Sequence, residues 1–201
     1  MQILNDRKIK EVFSNIPQID TERLVLRKIE NRDTADMYEY SCRADVTEYL
    51  TWNPHKSEKE TERYIKLLGK KYDKGAFWDF GVEYRKDAKF IGTCGFTSFN
   101  QDENSAEIGY VLSPEYWGRG IAVEACSAVL KFGFAVFDLD RICARYIDGN
   151  NSSKRVMEKL GMSYVTTYKN SYYIKNEYKT VIEYAVSKKD FFAAQALIKK
   201  D

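Results

Sequence analysis

The feature that most constrains the fold is a change of pattern in the second half of the 201-residue chain. Three runs rich in apolar residues, 77–84, 89–99 and 106–112, are separated by turn-forming segments, which predicts an antiparallel meander. A glycine-rich turn, a long helix from Ile121 and a strand at 141–148 follow. A strand, a helix and a strand at this spacing predict a right-handed parallel crossover. We therefore expect a mixed sheet in an α/β (α+β) fold.

The flanking sequence supplies the remaining elements. A strand over 22–29 precedes a helix that Asn31 or Asp33 can cap, and the capping-box pattern Ser57–Glu60 opens a second helix, whose apolar positions Tyr64, Ile65, Leu67 and Leu68 fall on one side. After the crossover, a short helix that Asn151 or Ser152 can cap ends before Gly161, where a left-handed residue commonly stops a helix. Two further strands then bring the sheet to about seven. No repeat or linker divides the chain, which predicts a single domain over 1–201, with a leader at 1–20 and a helical extension at 188–201.

Composition excludes several classes of function. The 32 basic and 30 acidic residues leave a net charge of +2, which argues against a general nucleic-acid binder. The four cysteines form no Cys-x-x-Cys pair and His55 is the single histidine, so we expect no metal site. The sequence contains neither a signal-peptide pattern nor an apolar run of about 20 residues, which predicts a cytoplasmic protein without a membrane span.

The segment Trp117–Ala122 is the most informative for function, because it joins the end of a strand to the start of the long helix. Main-chain N–H groups at a helix N-terminus have no partners within the helix, and they attract phosphate together with the helix dipole. Gly118 and Gly120 would allow an anion to approach closely, and Arg119 adds positive charge. The alternative is that the glycines only tighten a strand-to-helix turn.

The phosphate pattern matches neither of two common nucleotide motifs. Val123 occupies the third glycine position of the dinucleotide-binding motif, and the Gly-Lys-Ser/Thr of a P-loop is missing. The segment instead resembles the pyrophosphate loop of GNAT acetyltransferases, Gln/Arg-x-x-Gly-x-Gly/Ala, with Trp117 in the first place. Residues 106–110, Ala-Glu-Ile-Gly-Tyr, and residues 150–162 resemble further blocks of the branch that contains the ribosomal-protein N-terminal acetyltransferases.

This resemblance, which covers about 21–188, implies a fold in which two neighbouring parallel strands splay apart and acetyl-CoA lies between them. It implies that the pyrophosphate binds the amides of residues 118–122 and that the main chain of Val111 and Leu112 pairs with the pantetheine. The expected cofactor-binding residues are Val111, Leu112, Trp117, Gly118, Arg119, Gly120, Ile121, Ala122, Asn150 and Ser153. Dimers are common in similar enzymes, so a homodimer is a further expectation.

Two residues are candidates for catalysis. Glu107 lies on the strand that leads into the cofactor site and could accept the proton of the amine, directly or through water; the alternative is a polar residue on a half-exposed strand. Many GNAT enzymes protonate the CoA thiolate with a tyrosine at the position of Met157, which cannot donate a proton. The resemblance suggests Ser153 instead, with Asn150 positioning it; alternatively, both residues only cap the helix.

The acceptor is the least determined part of the reaction. Trp52 and His55 lie in a region that borders the acceptor site of similar enzymes, although His55 could also be an exposed loop residue. The resemblance favours a protein or peptide N-terminal amine, with a polyamine, an aminoglycoside or another small amine as the rival and a non-catalytic CoA-binding module as a third interpretation. A cationic acceptor would favour an acidic pocket, and the sequence assigns none of the following to one: Glu48, Asp79, Glu83 and Glu177.

Overall fold

The computed structural model of the protein describes residues 4–198, which alternate between helices and strands. The elements are Asp6–Ser14 (α1), Ile19–Asp20 (β1), Leu24–Arg27 (β2), Thr34–Ser41 (α2), Ala44–Thr47 (α3), Glu58–Tyr72 (α4), Asp79–Tyr84 (β3), Lys89–Asn100 (β4), Ser105–Leu112 (β5), Ile121–Val136 (α5), Arg141–Ile147 (β6), Asn151–Lys159 (α6), Ser163–Ile174 (β7), Glu177–Ser187 (β8) and Lys188–Ile198 (α7).

The strands form one mixed sheet in the order β1-β2-β3-β4-β5-β6-β8-β7. Neighbouring strands are antiparallel except β5 and β6, which are parallel and joined through α5. The predicted crossover and mixed sheet are therefore confirmed. The described residues form eight strands rather than about seven, because a two-residue strand, β1, pairs with β2 at the edge of the sheet.

The sheet packs helices on both faces, and each face has its own apolar core. The larger core includes Phe80 and Ile108 from the sheet with Val129 of α5. The smaller one, on the opposite face, includes Phe90 of β4 with Ile65 and Leu68 of α4. Side chains alternate between the two faces along a strand, so neighbouring residues of β5 lie on opposite faces of the sheet.

Packing places the leader helix in the core and corrects two local expectations on α4. The leader helix α1 is part of the larger core, since Phe13 is fully buried and its ring stacks 5.8 Å from that of Phe137. Tyr64 and Leu67 do not share the buried side of α4, because they are 40% and 48% exposed. Glu60 completes no capping box with Ser57; its carboxylate accepts from Lys56 N–H at 2.7 Å instead.

Candidate active site

The candidate site begins where β5 and β6 separate. Their parallel pairing covers only Ser105–Ile108 opposite Arg141–Ala144, although β5 continues to Leu112 and β6 to Ile147. From Gly109 onward, β5 therefore has no strand partner on its β6 side. We call this opening between the two strand ends the wedge.

The main chain of β5 presents alternate residues to the wedge. Ser113 N–H donates to the carbonyl of Ile91 on β4 at 2.7 Å, so Ser113 faces β4, as do residues two apart from it. A Cβ at Gly92 on β4 would lie 2.1 Å from the carbonyl oxygen of Val111, which places that carbonyl against β4 as well. Tyr110 and Leu112 consequently face the wedge. The main chain of Val111 does not, which corrects its expected pairing with pantetheine.

The glycine-rich segment forms an open turn at the N-terminus of α5. Gly118 and Gly120 have left-handed φ angles of 72° and 74°, and a Cβ at Gly118 would meet nothing within 4 Å. The first N–H of this region that donates within the described chain is that of Glu124, to the carbonyl of Gly120. The N–H groups of residues 118–123 have no acceptor among residues 4–198, so they are available to an anion.

An ion pair holds this turn in place. Glu124, in the first turn of α5, accepts from the hydroxyl of Thr21 at 2.6 Å and from the main chain of Arg23 at 2.8 Å. The Arg23 guanidinium donates to Glu124 at 2.6 Å and to the carbonyl of Arg119 at 2.9 Å. Burial would raise the pKa of Glu124, but these hydrogen bonds outweigh it and the pKa is lowered. The charged pair thus fixes the Arg119 carbonyl on the side of β2.

Trp117, at the first position of the loop, has a structural contact of its own. Its indole N–H donates to the carbonyl of Leu112 at 2.8 Å, while the ring is 48% exposed. The substitution of a usual Gln or Arg by Trp117 therefore ties the loop to the end of β5. Because the carbonyl of Leu112 binds Trp117, its N–H is the main-chain group left to bind a ligand in the wedge.

Ser153 lies at the start of α6, beside the wedge. Its hydroxyl is 2.7 Å from that of Tyr110, and its N–H donates to the side chain of Asn150 at 3.1 Å. Asn150, rather than the expected Asn151 or Ser152, is thus the N-cap of α6. Burial raises the pKa of Tyr110, which keeps its phenol protonated. Met157 is 1% exposed in the larger core, away from any role in proton transfer.

Glu107 lies on the opposite face of β5 and forms an ion pair. Its carboxylate is 3.0 Å from the guanidinium of Arg145, which also contacts Glu183 at 2.8 Å. Burial raises the pKa of Glu107 and the charge of Glu183 adds to the rise, whereas Arg145 opposes it. Burial likewise opposes ionisation of Glu183, but hydrogen bonds from Arg145, Tyr168 and Arg141 lower its pKa overall.

These residues line a polar cleft of about 330 Å³ on this face of the sheet, next to the narrow end of the wedge. Its deeper carboxylates, those of Glu107 and Glu183, are both bound by arginines. The cleft therefore combines hydrogen-bonding groups of both charges, and among the described residues the exposed Glu103 is its one lining carboxylate outside these ion pairs.

Trp52 and His55 lie together in the loop before α4. Their ring centroids are 5.5 Å apart, and His55 is 5.7 Å from the ring of Tyr64. His55 is half-buried rather than exposed, since its Nδ1 lies 2.7 Å from the Thr61 hydroxyl, and burial lowers its pKa. This aromatic group is a continuous surface that leads onto α4.

Three residues near the site were not singled out from the sequence: Tyr110, Arg145 and Arg23. Each meets its partner across strands or between distant elements, so no local spacing indicates the contact. Asp79, in contrast, was among the four acidic candidates. Glu83 is paired with Arg27 at 2.8 Å and Glu177 is an exposed residue beside Lys179, whereas Asp79 has a buried oxygen without a partner.

Two other kinds of site are missing from residues 4–198. No group of three or more histidine, cysteine, aspartate or glutamate side chains in this part of the chain is arranged to hold a metal ion. None of its helices combines the length and the apolar character needed to cross a bilayer.

Comparison with known proteins identifies relatives over most of the chain. Residues 23–163 match the acetyltransferase (GNAT) domain family. The chain is 32% identical to the "Uncharacterized N-acetyltransferase YoaA" of Bacillus subtilis over 145 residues, which cover 72% of this chain and 82% of that protein. A GNAT-family acetyltransferase structure from Bacillus anthracis superposes with a TM-score of 0.76 at 32% identity, covering 86% of this chain and 99% of that one.

More distant relatives carry names that specify different acceptors. The spermidine N(1)-acetyltransferase of Escherichia coli is 24% identical over 84% of this chain and 88% of its own length. The [ribosomal protein uS5]-alanine N-acetyltransferase of the same organism is also 24% identical, over 74% of this chain and 80% of its own length. The comparisons therefore agree on the reaction type and leave the acceptor open.

Proposed function

Because the chain belongs to the GNAT acetyltransferase family and is an N-acetyltransferase, we propose that it transfers the acetyl group of acetyl-CoA to the N-terminal α-amine of a protein or peptide. The observation that carries this proposal is the row of unpartnered N–H groups at residues 118–123 beside the wedge. A diphosphate satisfies such groups, and an extended pantetheine could pair with the free edge of β5.

The proposed cofactor contacts follow from the directions of the main-chain groups. Gly118 through Ala122 would bind the pyrophosphate, with Arg119 adding charge. Tyr110 and Leu112, instead of Val111, would pair with the pantetheine, because their main chain faces the wedge. An amide at this edge would also polarise the thioester carbonyl.

The two faces of β5 separate two proton-transfer roles. On the α6 side, the Ser153 hydroxyl would donate to the departing sulfur, and Tyr110 at 2.7 Å would position it and replace its proton. On the cleft side, Glu107 would accept a proton from the nitrogen after attack, through water, with Arg145 holding its carboxylate. Asn150 would act through Ser153, whose main-chain N–H it binds.

The charge balance of the cleft favours a peptide acceptor over a polyamine. A polycation would be recognised by several unpaired carboxylates, but the arginines already compensate Glu107 and Glu183. A peptide offers carbonyl and N–H groups that suit such a mixed surface. Trp52 and His55 could then contact the first side chains of the acceptor.

The proposal can be tested by measuring thiol release from acetyl-CoA with N-terminal peptides, spermidine and an aminoglycoside, and by locating the acetylated atom by mass spectrometry. We expect Ser153→Ala to retain CoA affinity within about twofold and to lower kcat by about 10²–10³, and Glu107→Gln to lower it similarly. CoA binding without turnover of any amine would instead indicate a non-catalytic CoA-binding module. Acetylation of spermidine alone would establish the polyamine alternative.

A further inference from the structure

The stability of the fold does not explain the environment of the Asp79 carboxyl group. Asp79 is the first residue of β3 and is half-buried; its Oδ1 is shielded from solvent and has no hydrogen-bond partner among residues 4–198. Its main-chain carbonyl is bound by the Tyr72 hydroxyl at 2.7 Å, so the backbone is held while the side chain is not. An unsatisfied buried carboxyl group costs free energy, which is typical of groups kept for binding or catalysis.

The carboxyl group lies over a floor of glycines that leads to the wedge. Asp79 is opposite Gly95 on β4, and Gly95 is opposite Gly109 on β5, so the three residues form one row across the sheet. A Cβ at Gly95 would be 2.6 Å from Asp79 Oδ1, so this oxygen occupies the space that a side chain would fill. Neighbouring strands are about 4.8 Å apart, which leaves the carboxyl group roughly one strand spacing from Gly109.

Gly109 is also the first residue of β5 beyond the parallel pairing with β6. The side chain nearest the position of its absent Cβ is that of Thr97, an exposed residue whose methyl group would lie 2.8 Å away. The narrow end of the wedge is thus reached from Asp79 without crossing a large side chain.

Two aromatic side chains lie within the electrostatic reach of the same carboxyl group. Burial raises the pKa of Tyr40 on α2 and of Tyr64 on α4, and the charge of Asp79 adds to both rises. Tyr64 is 40% exposed and continues through His55 to Trp52. Aromatic faces next to a carboxylate attract ammonium groups through cation–π and ionic interactions.

We propose that Asp79 binds the ammonium group of the acceptor and takes its first proton, and that Trp52, His55 and Tyr64 line the approach. The inference rests on the proposed acetyl transfer and assigns its acceptor site. The contact with the substrate would be direct, so Asp79 would be a catalytic residue. Thr97 and Gly109 would lie beneath the nitrogen as it reaches the thioester.

The protons balance over the complete reaction. The ammonium gives one proton to Asp79, and the nitrogen lone pair forms the C–N bond to the thioester carbon. When the C–S bond breaks, its electron pair stays on sulfur, which takes the proton of Ser153. The second nitrogen proton passes through water to Glu107 and then to solvent, which in exchange restores the proton of Ser153 through Tyr110. The proton on Asp79 leaves to solvent, which matches the one proton that acetylation of an ammonium releases.

The acidity of Asp79 suits an α-amine better than an alkyl amine. Burial raises its pKa to about 7. The titratable groups that its charge affects are Tyr40 on α2, Tyr64 and Tyr72 on α4 and, on the other face of β4, Cys94, and all are neutral at pH 7. An α-amine has a pKa of about 8, so proton transfer to Asp79 is unfavourable by about tenfold. The lysine-type amine, with a pKa of about 10.4, faces a penalty of more than a thousandfold. The site would therefore select peptide N-termini.

Binding without turnover tests the first half of the proposal. The probes are a tetrapeptide that begins with alanine and its desamino analogue, titrated calorimetrically into the protein saturated with CoA. We expect the amine to bind at least tenfold more tightly than the analogue, and Asp79→Asn to remove this preference with CoA affinity unchanged. The matched control is Asp102→Asn, an exposed turn residue, which should behave as the native protein. A preference that persists in Asp79→Asn, or that the native protein lacks, would overturn the proposal.

Turnover against pH tests the proton transfer. For the alanine peptide, kcat/KM should fall by about 10²–10⁴ in Asp79→Asn, and the acidic limb near pH 7 should disappear while the KM for acetyl-CoA stays within twofold. Glu107→Gln should lower turnover but retain that limb. If Glu107→Gln loses the acidic limb and Asp79→Asn retains it, the role of Asp79 is refuted while the proposed acetyl transfer stands. A native protein that acetylates no amine would refute the proposed function as well.

Discussion

The buried carboxyl group of Asp79 also predicts a pH-dependent gain in stability when it is neutralised. Its pKa rises from 3.8 to about 7 on folding, because burial disfavours the ionised form. A group whose pKa is raised in the folded state stabilises the protein below its unfolded pKa, and this stabilisation is lost as the pH rises through the folded pKa. Native stability should therefore decline between about pH 4 and pH 7.

The size of the effect follows from the shift. About three pKa units at 1.36 kcal/mol each give an upper value of about 4 kcal/mol above pH 7.5, and the partial exposure of Asp79 reduces this to about 2–4 kcal/mol. The variant Asp79→Asn has the same shape without the titration. Its free energy of unfolding relative to the native protein should therefore increase by this amount between pH 4 and pH 8.

Urea unfolding followed by tryptophan fluorescence at half-unit pH intervals would measure the difference. Asp102→Asn, on the exposed turn between β4 and β5, provides the control and should give a difference that stays within about 0.5 kcal/mol across the range. If the difference between Asp79→Asn and the native protein does not change with pH, the carboxyl group is not held in a desolvated state. The argument for its role in the acceptor site would then lose its physical basis.

Two further predictions concern the phosphate loop. In Gly120→Ala, the left-handed φ of 74° would cost roughly 1–2 kcal/mol, and relaxation of the turn would redirect its amides; calorimetry should show at least a tenfold weaker affinity for CoA, with the melting temperature lowered by about 2–8 °C. Arg23→Gln removes the charged donor to the Arg119 carbonyl, so CoA affinity should fall about threefold to tenfold while kcat at saturating acetyl-CoA is retained; an unchanged affinity would show that Glu124 positions the loop without Arg23.

The elements that could be predicted from the sequence are those specified by local patterns. The helix from Ile121 has a continuous apolar face and a glycine-rich entry, and the left-handed Gly161 stops α6 as expected. Local patterns also led to wrong predictions. Asn151 or Ser152 can cap a helix as well as Asn150 can, and the large ring of Tyr64 suits a buried position as well as an exposed one. Contacts between residues far apart in the chain decide which residue caps the helix and which side chain is buried.

The same distinction explains what could be known of the site. The open turn at the N-terminus of α5 is local, so the segment Trp117–Ala122 was sufficient to predict its unpartnered amides. The partners of the catalytic candidates are not local: Tyr110 and Ser153 are 43 residues apart, as Glu107 and Arg145 are 38 apart. Their meeting depends on the register of β5 with β6 and on the placement of α6. A strand pattern alone gives the face on which a side chain lies but not the residue that it meets.

The alternation of β5 has a consequence for the order of proton transfers. Tyr110 belongs to the face that carries α5 and α6, whereas Glu107 and Asp79 belong to the face of the cleft, and the strand itself separates them. A proton taken from nitrogen on one face cannot pass directly to sulfur on the other. In the proposed reaction, the hydroxyl pair of Ser153 and Tyr110 must therefore give its proton to the sulfur before it regains one. The proton held by Asp79 can leave toward solvent without returning the amine to its charged form. In this arrangement a carboxyl group with a pKa near 7 is more effective than a stronger base, because it must release the proton before the next acceptor binds.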